Sequence, residues 1–294
     1  MLSKDIPSRR KDPEKKMLLF MSGRIFCRVI DKIRLYKINL RLAILRRRMF
    51  SYPPAAPRVE RCLGYRVRFR YGADFYASFR DIIINRSYHF HAQRPDPLII
   101  DCGSNIGFSA IYFKHAYPQS RIIGFEPDPA VFPLLKENIE RNGLSGIRLV
   151  QAALAAQEGT LVFYSDGRCG SSLAKHMPGS MPEGWTEHKV GCVRLRDYLT
   201  EPVDFLKVNI EGAEWEVLAD SEDRLRQVRE IVVEYHHFPG LARTLHKILE
   251  LLHRQGFEYL INDFDSESNH AVRPPFKLTP ESRYYLLIYA KRID

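Results

Sequence analysis

Two glycines in the segment 98–107 suggest the first piece of chemistry. Leu98 to Cys102 is a mainly apolar run, and it leads into a turn with Gly103 and Gly107 before the next predicted helix. Such a turn lets the backbone approach a ligand closely at the carboxyl end of a strand. The spacing differs from the G-x-G-x-x-G pattern that holds a dinucleotide pyrophosphate. The segment therefore favours a ligand without phosphate groups.

A carboxylate follows at the end of the next predicted strand, where Glu126 precedes Pro127. At this place it can accept hydrogen bonds from both ribose hydroxyls of an adenosine-containing ligand. Taken alone, the glycine turn can be a tight connection and Glu126 can be a helix cap. Together, within an alternating pattern of strands and helices, they indicate a site for a nucleoside-containing cofactor.

A second group of polar residues lies in a later predicted strand, 203–210. A buried parallel strand is usually a near-continuous apolar run, yet Lys207 and Asn209 interrupt one face, and Glu211 continues that face into the turn. A buried lysine needs a partner. Lys207 therefore either forms a structural ion pair, with Glu234 or Glu211, or positions a substrate or a base.

Glu234 and His236 share one face at the end of the following strand, from which side chains can reach the same crevice. With an ordinary pKa of ~6.5, His236 is the better general base at neutral pH. The alternatives are a histidine satisfied by local hydrogen bonds and a Glu234 that only pairs with Lys207. The candidate catalytic residues are Lys207, Asn209, Glu211, Glu234 and His236, and no metal site is predicted.

The elements that must position these residues alternate between strand and helix. Predicted strands are 98–102, 121–125, 147–152, 203–210, 230–235, 257–261 and 284–289, and predicted helices are 108–115, 130–142, 213–219 and 241–254. This alternation implies an α/β fold with a mostly parallel sheet that is covered by helices on both faces. The irregular segment 165–189 is either a lid over an acceptor or a solvated insertion.

Positive charge is concentrated at the amino terminus. The net charge is +10, and residues 1–50 hold 15 Lys or Arg and 4 Asp or Glu, which leaves 30 against 31 for the rest. Apolar residues three and four apart predict a basic helix over 17–49. Three roles are open for this helix: it contacts an anionic membrane or a partner, it packs on the main domain, or it binds nucleic acid. Because the rest of the chain is close to neutral, nucleic acid is the least favoured of these partners.

Three prolines in 51–57 separate a basic extension and linker, 1–57, from a main domain, 58–294. Five cysteines without C-x-x-C spacing indicate neither a disulfide framework nor a zinc site. No segment has the pattern of a signal peptide or of a membrane span of ~18 apolar residues. We therefore expect a cytoplasmic protein, with peripheral membrane contact through 17–49 as an open alternative.

Six blocks occur in a characteristic order along the chain. They are Ile-Asp-Cys-Gly-Ser-Asn-Ile-Gly (100–107), Gly-Phe-Glu-Pro-Asp-Pro (124–129), Lys-Glu-Asn-Ile-Glu-Arg-Asn-Gly (136–143), Gly-Ser-Ser-Leu (170–173), Leu-Lys-Val-Asn-Ile-Glu-Gly-Ala-Glu (206–214) and Val-Val-Glu-Tyr-His (232–236). With these blocks the sequence resembles the FkbM family of methyltransferases over roughly residues 75–261.

The resemblance implies a class I methyltransferase fold, which is Rossmann-like and has a seven-stranded sheet, with S-adenosylmethionine as the cofactor. Candidate cofactor-binding residues are Asp101, Gly103, Ser104, Asn105, Gly107, Glu126, Pro127, Ala153 and Asn209, with Ala153 near the adenine. The implied reaction is O-methylation of a hydroxyl group on a sugar, a glycan precursor or a small metabolite.

Asn209 departs from the family pattern, which usually has aspartate there. The exchange removes an anion that could balance the positive charge of the sulfonium, although an amide can still orient a hydroxyl or an amino group. Two alternatives to an active O-methyltransferase follow. One is a catalytically impaired scaffold that binds the cofactor, and the other is a nucleic-acid methyltransferase with a basic amino-terminal arm.

Overall fold

The computed structural model describes residues 38–53, 55–168, 172–173, 181, 183–263, 279 and 282–293. The chain divides into two compact units, Met1–Tyr52 and Pro53–Asp294. The sequence-based boundary between residues 57 and 58 lies a few residues further along the chain.

The described part of the first unit contains one helix, α1, over residues 38–50. It corresponds to the end of the predicted helix 17–49, whose residues 17–37 lie outside the described ranges. Two apolar side chains of α1 face solvent, since Leu40 is 50% exposed and Ile44 is 61% exposed. None of the described helices is long and apolar enough to cross a membrane.

The second unit contains the strands and the remaining helices. Its strands are β1 (Arg58–Cys62), β2 (Tyr65–Phe69), β3 (Leu98–Cys102), β4 (Arg121–Phe125), β5 (Ile147–Val150), β6 (Ala153–Leu154), β7 (Gly159–Ser165), β8 (Ser172–Leu173), β9 (Thr186–Val193), β10 (Val203–Val208), β11 (Val228–His237), β12 (Phe257–Asp263) and β13 (Tyr284–Arg292). Its helices are α2 (Gly72–Ser78), which continues into a π-helical segment (Phe79–Ile84), α3 (Phe108–Ala116), α4 (Phe132–Arg141), α5 (Glu214–Asp220) and α6 (Leu245–Arg254). Short 3₁₀ segments occur at Leu195–Tyr198 and Glu222–Gln227.

Seven of the described strands form one sheet in the order β12-β13-β11-β10-β3-β4-β5. Neighbouring pairs from β11 to β5 are parallel, whereas β13 runs antiparallel to both of its neighbours. Successive strand-helix-strand units step from β3 towards β5 and, in the opposite direction, from β10 towards β12. Because such connections are right-handed, α3 and α4 cover one face and α5 and α6 cover the other. The predicted α/β fold with a mostly parallel sheet is confirmed.

Strands β3 and β10 lie side by side in the middle of this sheet. All residues of β3 are buried, and β10 is buried except at Asp204. Their register sets Lys207 opposite Asp101 and Val208 opposite Cys102. The strand order reverses between them, and open α/β sheets bind ligands beyond the carboxyl ends of the strands at such a point. The topology therefore fixes where a ligand site should lie.

Two asparagines, one on α4 and one directly after it, attach the β1-β2 hairpin to the main sheet and its helices. The side-chain oxygen of Asn138 accepts a hydrogen bond from the Arg68 amide at 2.6 Å, and that of Asn142 accepts one from the Arg66 amide at 2.8 Å. The Asn138 side chain also donates to the carbonyl of Ile106 at 2.8 Å. One side chain thus joins the hairpin to the turn that precedes α3.

A second, smaller sheet has the order β6-β9-β7-β8. The prediction of an irregular segment over 165–189 is wrong where β8 and β9 pair with β7, since β9 begins at Thr186. These short polar strands owe their conformation to pairing with β7, and their own sequences carry little strand signal. Residues 169–171, 174–180 and 182 lie outside the described ranges.

Candidate active site

A cleft of about 360 Å³ opens at the carboxyl ends of β3, β4, β10 and β11. Most of the residues chosen from the sequence line it, namely Gly103, Ser104, Asn105, Glu126, Pro127, Ala153, Lys207, Asn209, Glu211, Glu234 and His236. Two of the chosen residues, Asp101 and Gly107, are not part of the lining. The fold thus brings the two groups of predicted residues, one from each half of the chain, into one cleft.

The turn after β3 has a backbone that favours glycine. Gly103 has φ +90° and Asn105 has φ +47°. The amides of Gly103 and Ser104 donate to the carbonyl of Phe125 at 3.1 and 2.8 Å, which holds the turn against the end of β4. A Cβ atom on Gly103 would lie 2.0 Å from the carbonyl oxygen of Asn209. Only glycine permits this approach between the ends of β3 and β10.

Gly107 starts α3 in the left-handed conformation, at φ +94°. A Cβ atom there would lie 3.0 Å from the side chain of Leu135 on α4. The second glycine of the predicted cofactor turn therefore serves the packing of α3 against α4.

Glu126 is buried at the end of β4 and is held by the backbone. One carboxylate oxygen accepts from the Asn105 amide at 2.8 Å, and the other accepts from the Asp128 amide at 3.0 Å. Burial, together with the nearby charge of Asp128, raises the pKa of Glu126 to about 7 against the effect of its hydrogen bonds and of Lys207. Each oxygen keeps a second lone pair, so the carboxylate can still accept two hydroxyl groups.

The buried lysine of β10 forms an ion pair with Asp101. Lys207 Nζ lies 2.9 Å from Asp101 Oδ1, and both side chains are almost completely buried. Nζ also donates to the carbonyl of Gly103 at 2.5 Å. The other Asp101 oxygen accepts from the hydroxyls of Ser104 at 2.9 Å and Ser109 at 2.5 Å.

The expected ion-pair partners of Lys207, Glu234 or Glu211, are therefore wrong. The β3-β10 register places Asp101 directly opposite Lys207, whereas the two glutamates lie beyond the ends of the strands or on β11. Asp101 acts on the site through Lys207 and the turn, and it does not face the cleft.

Glu234 is the centre of a polar network on β11. Its Oε2 accepts from the Asn209 side-chain amide at 2.9 Å and from the Tyr88 hydroxyl at 3.2 Å. The Tyr88 ring in turn lies 5.3 Å from Lys207 Nζ, in a cation–π contact. Burial raises the pKa of Tyr88 well above its ordinary value, and the charge of Glu234 adds to this effect, so the phenol stays protonated as a donor.

His236 is buried among three carboxylates. Its Nδ1 lies 3.1 Å from Glu214 Oε1, and its Nε2 lies 3.5 Å from Glu234 Oε1 and 3.6 Å from Glu211 Oε1. Burial lowers the pKa of His236, but the charge of Glu211 and the hydrogen bonds of Glu214 and Glu234 outweigh it, so the pKa lies well above its ordinary value. These surroundings favour the protonated ring, whereas the expected role as a base depends on a near-neutral pKa.

Sequence reasoning missed two residues of this region. Glu214 stands three residues after Glu211, a spacing that could have suggested that a helix start and the preceding turn share one site. Arg283, which precedes β13, lines the cleft with its guanidinium 3.9 Å from Glu211. No sequence signal points to Arg283, because it lies far along the chain from the other site residues, directly before the last strand, β13. Within the described ranges, no group of three or more His, Cys, Asp or Glu side chains is placed to hold a metal ion.

The fold and the site together define a class of protein. A mostly parallel seven-stranded sheet carries, at its switch point, a glycine turn and a strand-end carboxylate that suit a nucleoside. Residues 101–259 match the family model described as the methyltransferase FkbM domain. The chain belongs to this family of S-adenosylmethionine-dependent methyltransferases, and the predicted family and cofactor are confirmed.

Relatives of known name are similar over much of their length. Methyltransferase 1 of Beauveria bassiana is 31% identical over 234 residues, which cover 72% of this chain and 88% of that protein. The 31-O-demethyl-FK506 methyltransferase FkbM of Streptomyces tacrolimicus is 28% identical over 212 residues, which cover 61% of this chain and 80% of that protein. The 2-O-methyltransferase NoeI of Sinorhizobium fredii is 28% identical over 159 residues, which cover 49% of this chain and 65% of that protein.

The residues present fit S-adenosylmethionine. Glu126 has two accepting positions for the ribose hydroxyls, and the turn residues Gly103 and Asn105 line the same cleft. Apolar side chains of the lining, such as Ala153 and Leu154, suit the flat adenine ring.

Proposed function

We propose that this chain transfers a methyl group from S-adenosylmethionine to a hydroxyl group of a sugar, a glycan precursor or a small metabolite. The observation that carries the proposal is one cleft with two different walls. One wall suits a nucleoside, through Gly103, Asn105 and Glu126, and the other presents Glu211 and Glu234. The names of two relatives, a 2-O-methyltransferase and a 31-O-demethyl-FK506 methyltransferase, also point to hydroxyl acceptors.

The bound cofactor supplies an electrophilic methyl group on a positively charged sulfur. What the protein must add is in-line alignment of the acceptor oxygen and a place for the hydroxyl proton. The network of Tyr88, Asn209 and Glu234 is held rigidly enough to align an acceptor, because each of the first two donates a hydrogen bond to the third. Carboxylates on the same wall can accept hydrogen bonds from the hydroxyls of a polar acceptor.

Asn209 fits this enzymatic proposal better than an impaired scaffold. Its amide donates to Glu234 at 2.9 Å, where an aspartate would set two carboxylates against each other. A nucleic-acid acceptor is disfavoured, because residues 51–294 hold 30 Lys or Arg against 31 Asp or Glu.

Calorimetric titration with S-adenosylmethionine and S-adenosylhomocysteine tests the cofactor side of the proposal. Glu126→Gln should weaken binding by about 10- to 100-fold, since charge-assisted hydrogen bonds to the ribose are lost. With 5′-methylthioadenosine, which has the ribose without the amino-acid chain, wild-type affinity should rise from about pH 6 to about pH 8 as Glu126 ionises, and the variant should lack this rise.

A matched control is Glu140→Gln, which removes an exposed carboxylate on α4. It should bind both ligands as the wild type does. A folded wild-type chain that binds neither S-adenosylmethionine nor S-adenosylhomocysteine would overturn the proposed function. A subsequent screen of methyl glycosides and other alcohols as acceptors tests O-methylation itself.

We further propose that residues 17–49 contact anionic membranes, which would bring the enzyme to a lipid-linked acceptor. In support, Leu40 and Ile44 of α1 are exposed in a segment rich in Lys and Arg. Full-length protein should sediment with phosphatidylserine vesicles and be released by salt, and Leu40→Ser/Ile44→Ser should bind more weakly. Equal sedimentation of full-length protein and a chain lacking residues 1–50 would contradict this proposal.

A further inference from the structure

Three glutamates around His236 differ in the exposed fraction of their side chains. Glu214 is 1% exposed, and its Oε1 accepts from the amides of Ile210 at 3.3 Å and Gly212 at 3.0 Å in addition to its contact with His236. This carboxylate therefore ties the start of α5 to the turn that carries Glu211. Its burial keeps it away from any acceptor.

The second glutamate, Glu234, is also engaged by neighbours. It is 7% exposed, and its Oε2 accepts from both Asn209 and Tyr88. Its other oxygen faces His236 at 3.5 Å. Because it is fixed by these donors and almost buried, Glu234 can align an acceptor but has little access to solvent for passing on a proton.

The third glutamate, Glu211, is the most exposed of the three. Its side chain is 19% exposed, more than either of the other two, and it lines the cleft. Glu211 also has φ +51°, a left-handed backbone conformation that is unfavourable for a residue with a side chain. Such backbone conformations persist where the surrounding structure imposes them, and here the contacts of Glu214 hold the turn.

We propose that Glu211 is the catalytic residue that accepts the proton of the acceptor hydroxyl, and that His236, as an imidazolium, is the positioning residue that keeps this carboxylate ionised. This inference rests on the proposed O-methyltransferase function and adds the identity of the base. It replaces His236 in the role that the sequence suggested for it.

The step balances in atoms and electrons. The acceptor oxygen forms a bond to the methyl carbon as its O–H bond breaks, and the proton moves to a carboxylate oxygen of Glu211. The S–CH₃ bond of the cofactor breaks, and its electron pair stays on sulfur, which leaves neutral S-adenosylhomocysteine. The proton on Glu211 then leaves to solvent, because this side chain alone of the three has appreciable exposure.

The charges that face Glu211 come from three parts of the fold, namely β11, α5 and the residue before β13. Burial raises its pKa to about 7, where a base is most effective at neutral pH. The positive charge of His236 on β11 lowers this pKa, Glu234 on β11 and Glu214 on α5 raise it, and Arg283 before β13 lowers it. Asn209, at the end of β10, and Tyr88 add no charge, since the phenol remains protonated.

The test compares full-length wild type, Glu211→Gln and His236→Gln, with Glu250→Gln as a control that alters an exposed carboxylate on α6. We measure affinity for S-adenosylhomocysteine and the pH profile of kcat and kcat/KM on a methyl glycoside that the wild type methylates. Glu211→Gln should keep its affinity within a few-fold and lose about 10²- to 10⁴-fold in kcat. His236→Gln should stay active. The acidic limb of its pH–rate profile should move to higher pH, because the pKa of Glu211 rises without the neighbouring cation.

Two results would overturn the assignment. One is a loss of less than about tenfold in Glu211→Gln, and the other is a His236→Gln variant that loses activity without any shift of the limb. A third readout needs no acceptor. Nitrogen NMR of the His236 ring at neutral pH, with S-adenosylhomocysteine bound, should report an imidazolium. A neutral ring would refute the inference even if no hydroxyl acceptor were found, whereas failure of the acceptor screen alone bears on the proposed function.

Discussion

Gly103→Ala is expected to abolish measurable cofactor binding and to lower the free energy of unfolding by about 2 to 5 kcal/mol. Two costs add here. The residue has φ +90°, and the new Cβ would meet the carbonyl oxygen of Asn209 at 2.0 Å. Because the obstacle is backbone, β3 and β10 must move apart, and the turn that approaches the cofactor moves with them. Urea unfolding and calorimetric titration with S-adenosylhomocysteine measure the two effects.

Gly143→Ala is the matched control for the backbone cost alone. Gly143 has φ +59°, and a Cβ atom there would have no neighbour within 4 Å. It should lower the free energy of unfolding by about 1 to 2 kcal/mol and leave cofactor affinity unchanged. Equal losses of stability in the two variants would mean that the close approach of Gly103 to Asn209 is unimportant.

Lys207→Met is expected to lower the free energy of unfolding by about 3 to 5 kcal/mol. The change leaves the Asp101 carboxylate buried without its cation, although Ser104 and Ser109 still donate to it. It also removes the donor to the carbonyl of Gly103, so cofactor affinity should fall as well. Urea unfolding at neutral pH measures the first effect, and calorimetry the second.

An exposed lysine provides the control for the buried Lys207. Lys136→Met breaks an ion pair with Glu140 on the surface of α4, at 3.7 Å, and should change stability by less than about 0.5 kcal/mol. Asp101→Asn in the Lys207→Met background should restore part of the loss, because the uncompensated charge disappears. If Lys207→Met costs less than about 1 kcal/mol, the buried ion pair does not have the role assigned to it.

The central strands could be predicted from sequence with little error. For β3 and β4 the predicted bounds coincide with those observed, because a strand buried on both faces must be a near-continuous apolar run. The same apolar runs predict the position of the cofactor site, since Gly103 and Glu126 follow β3 and β4 directly. These signals are local in sequence.

What could not be predicted depends on contacts between distant segments. The partner of Lys207 follows from the register of β3 against β10, which no local pattern specifies. The state of His236 depends on carboxylates from a turn, a helix and its own strand, and their combined charge appears only in the folded chain. In contrast, β2 had a usable signal, since Tyr65 to Phe69 alternate between apolar and polar residues.

The pairing of β3 with β10 has a consequence for the order of folding. The nucleoside wall comes mainly from residues 103–127, with Ala153 and Leu154, and the acceptor wall comes mainly from 207–236, so the cleft exists only once these distant segments have met. Contacts of this sequence separation carry a large loop-closure entropy and form slowly. During synthesis, the amino-terminal half leaves the ribosome before β10 exists. Recovery of cofactor binding in a refolding experiment therefore reports completion of the central sheet, and not the earlier formation of its separate halves.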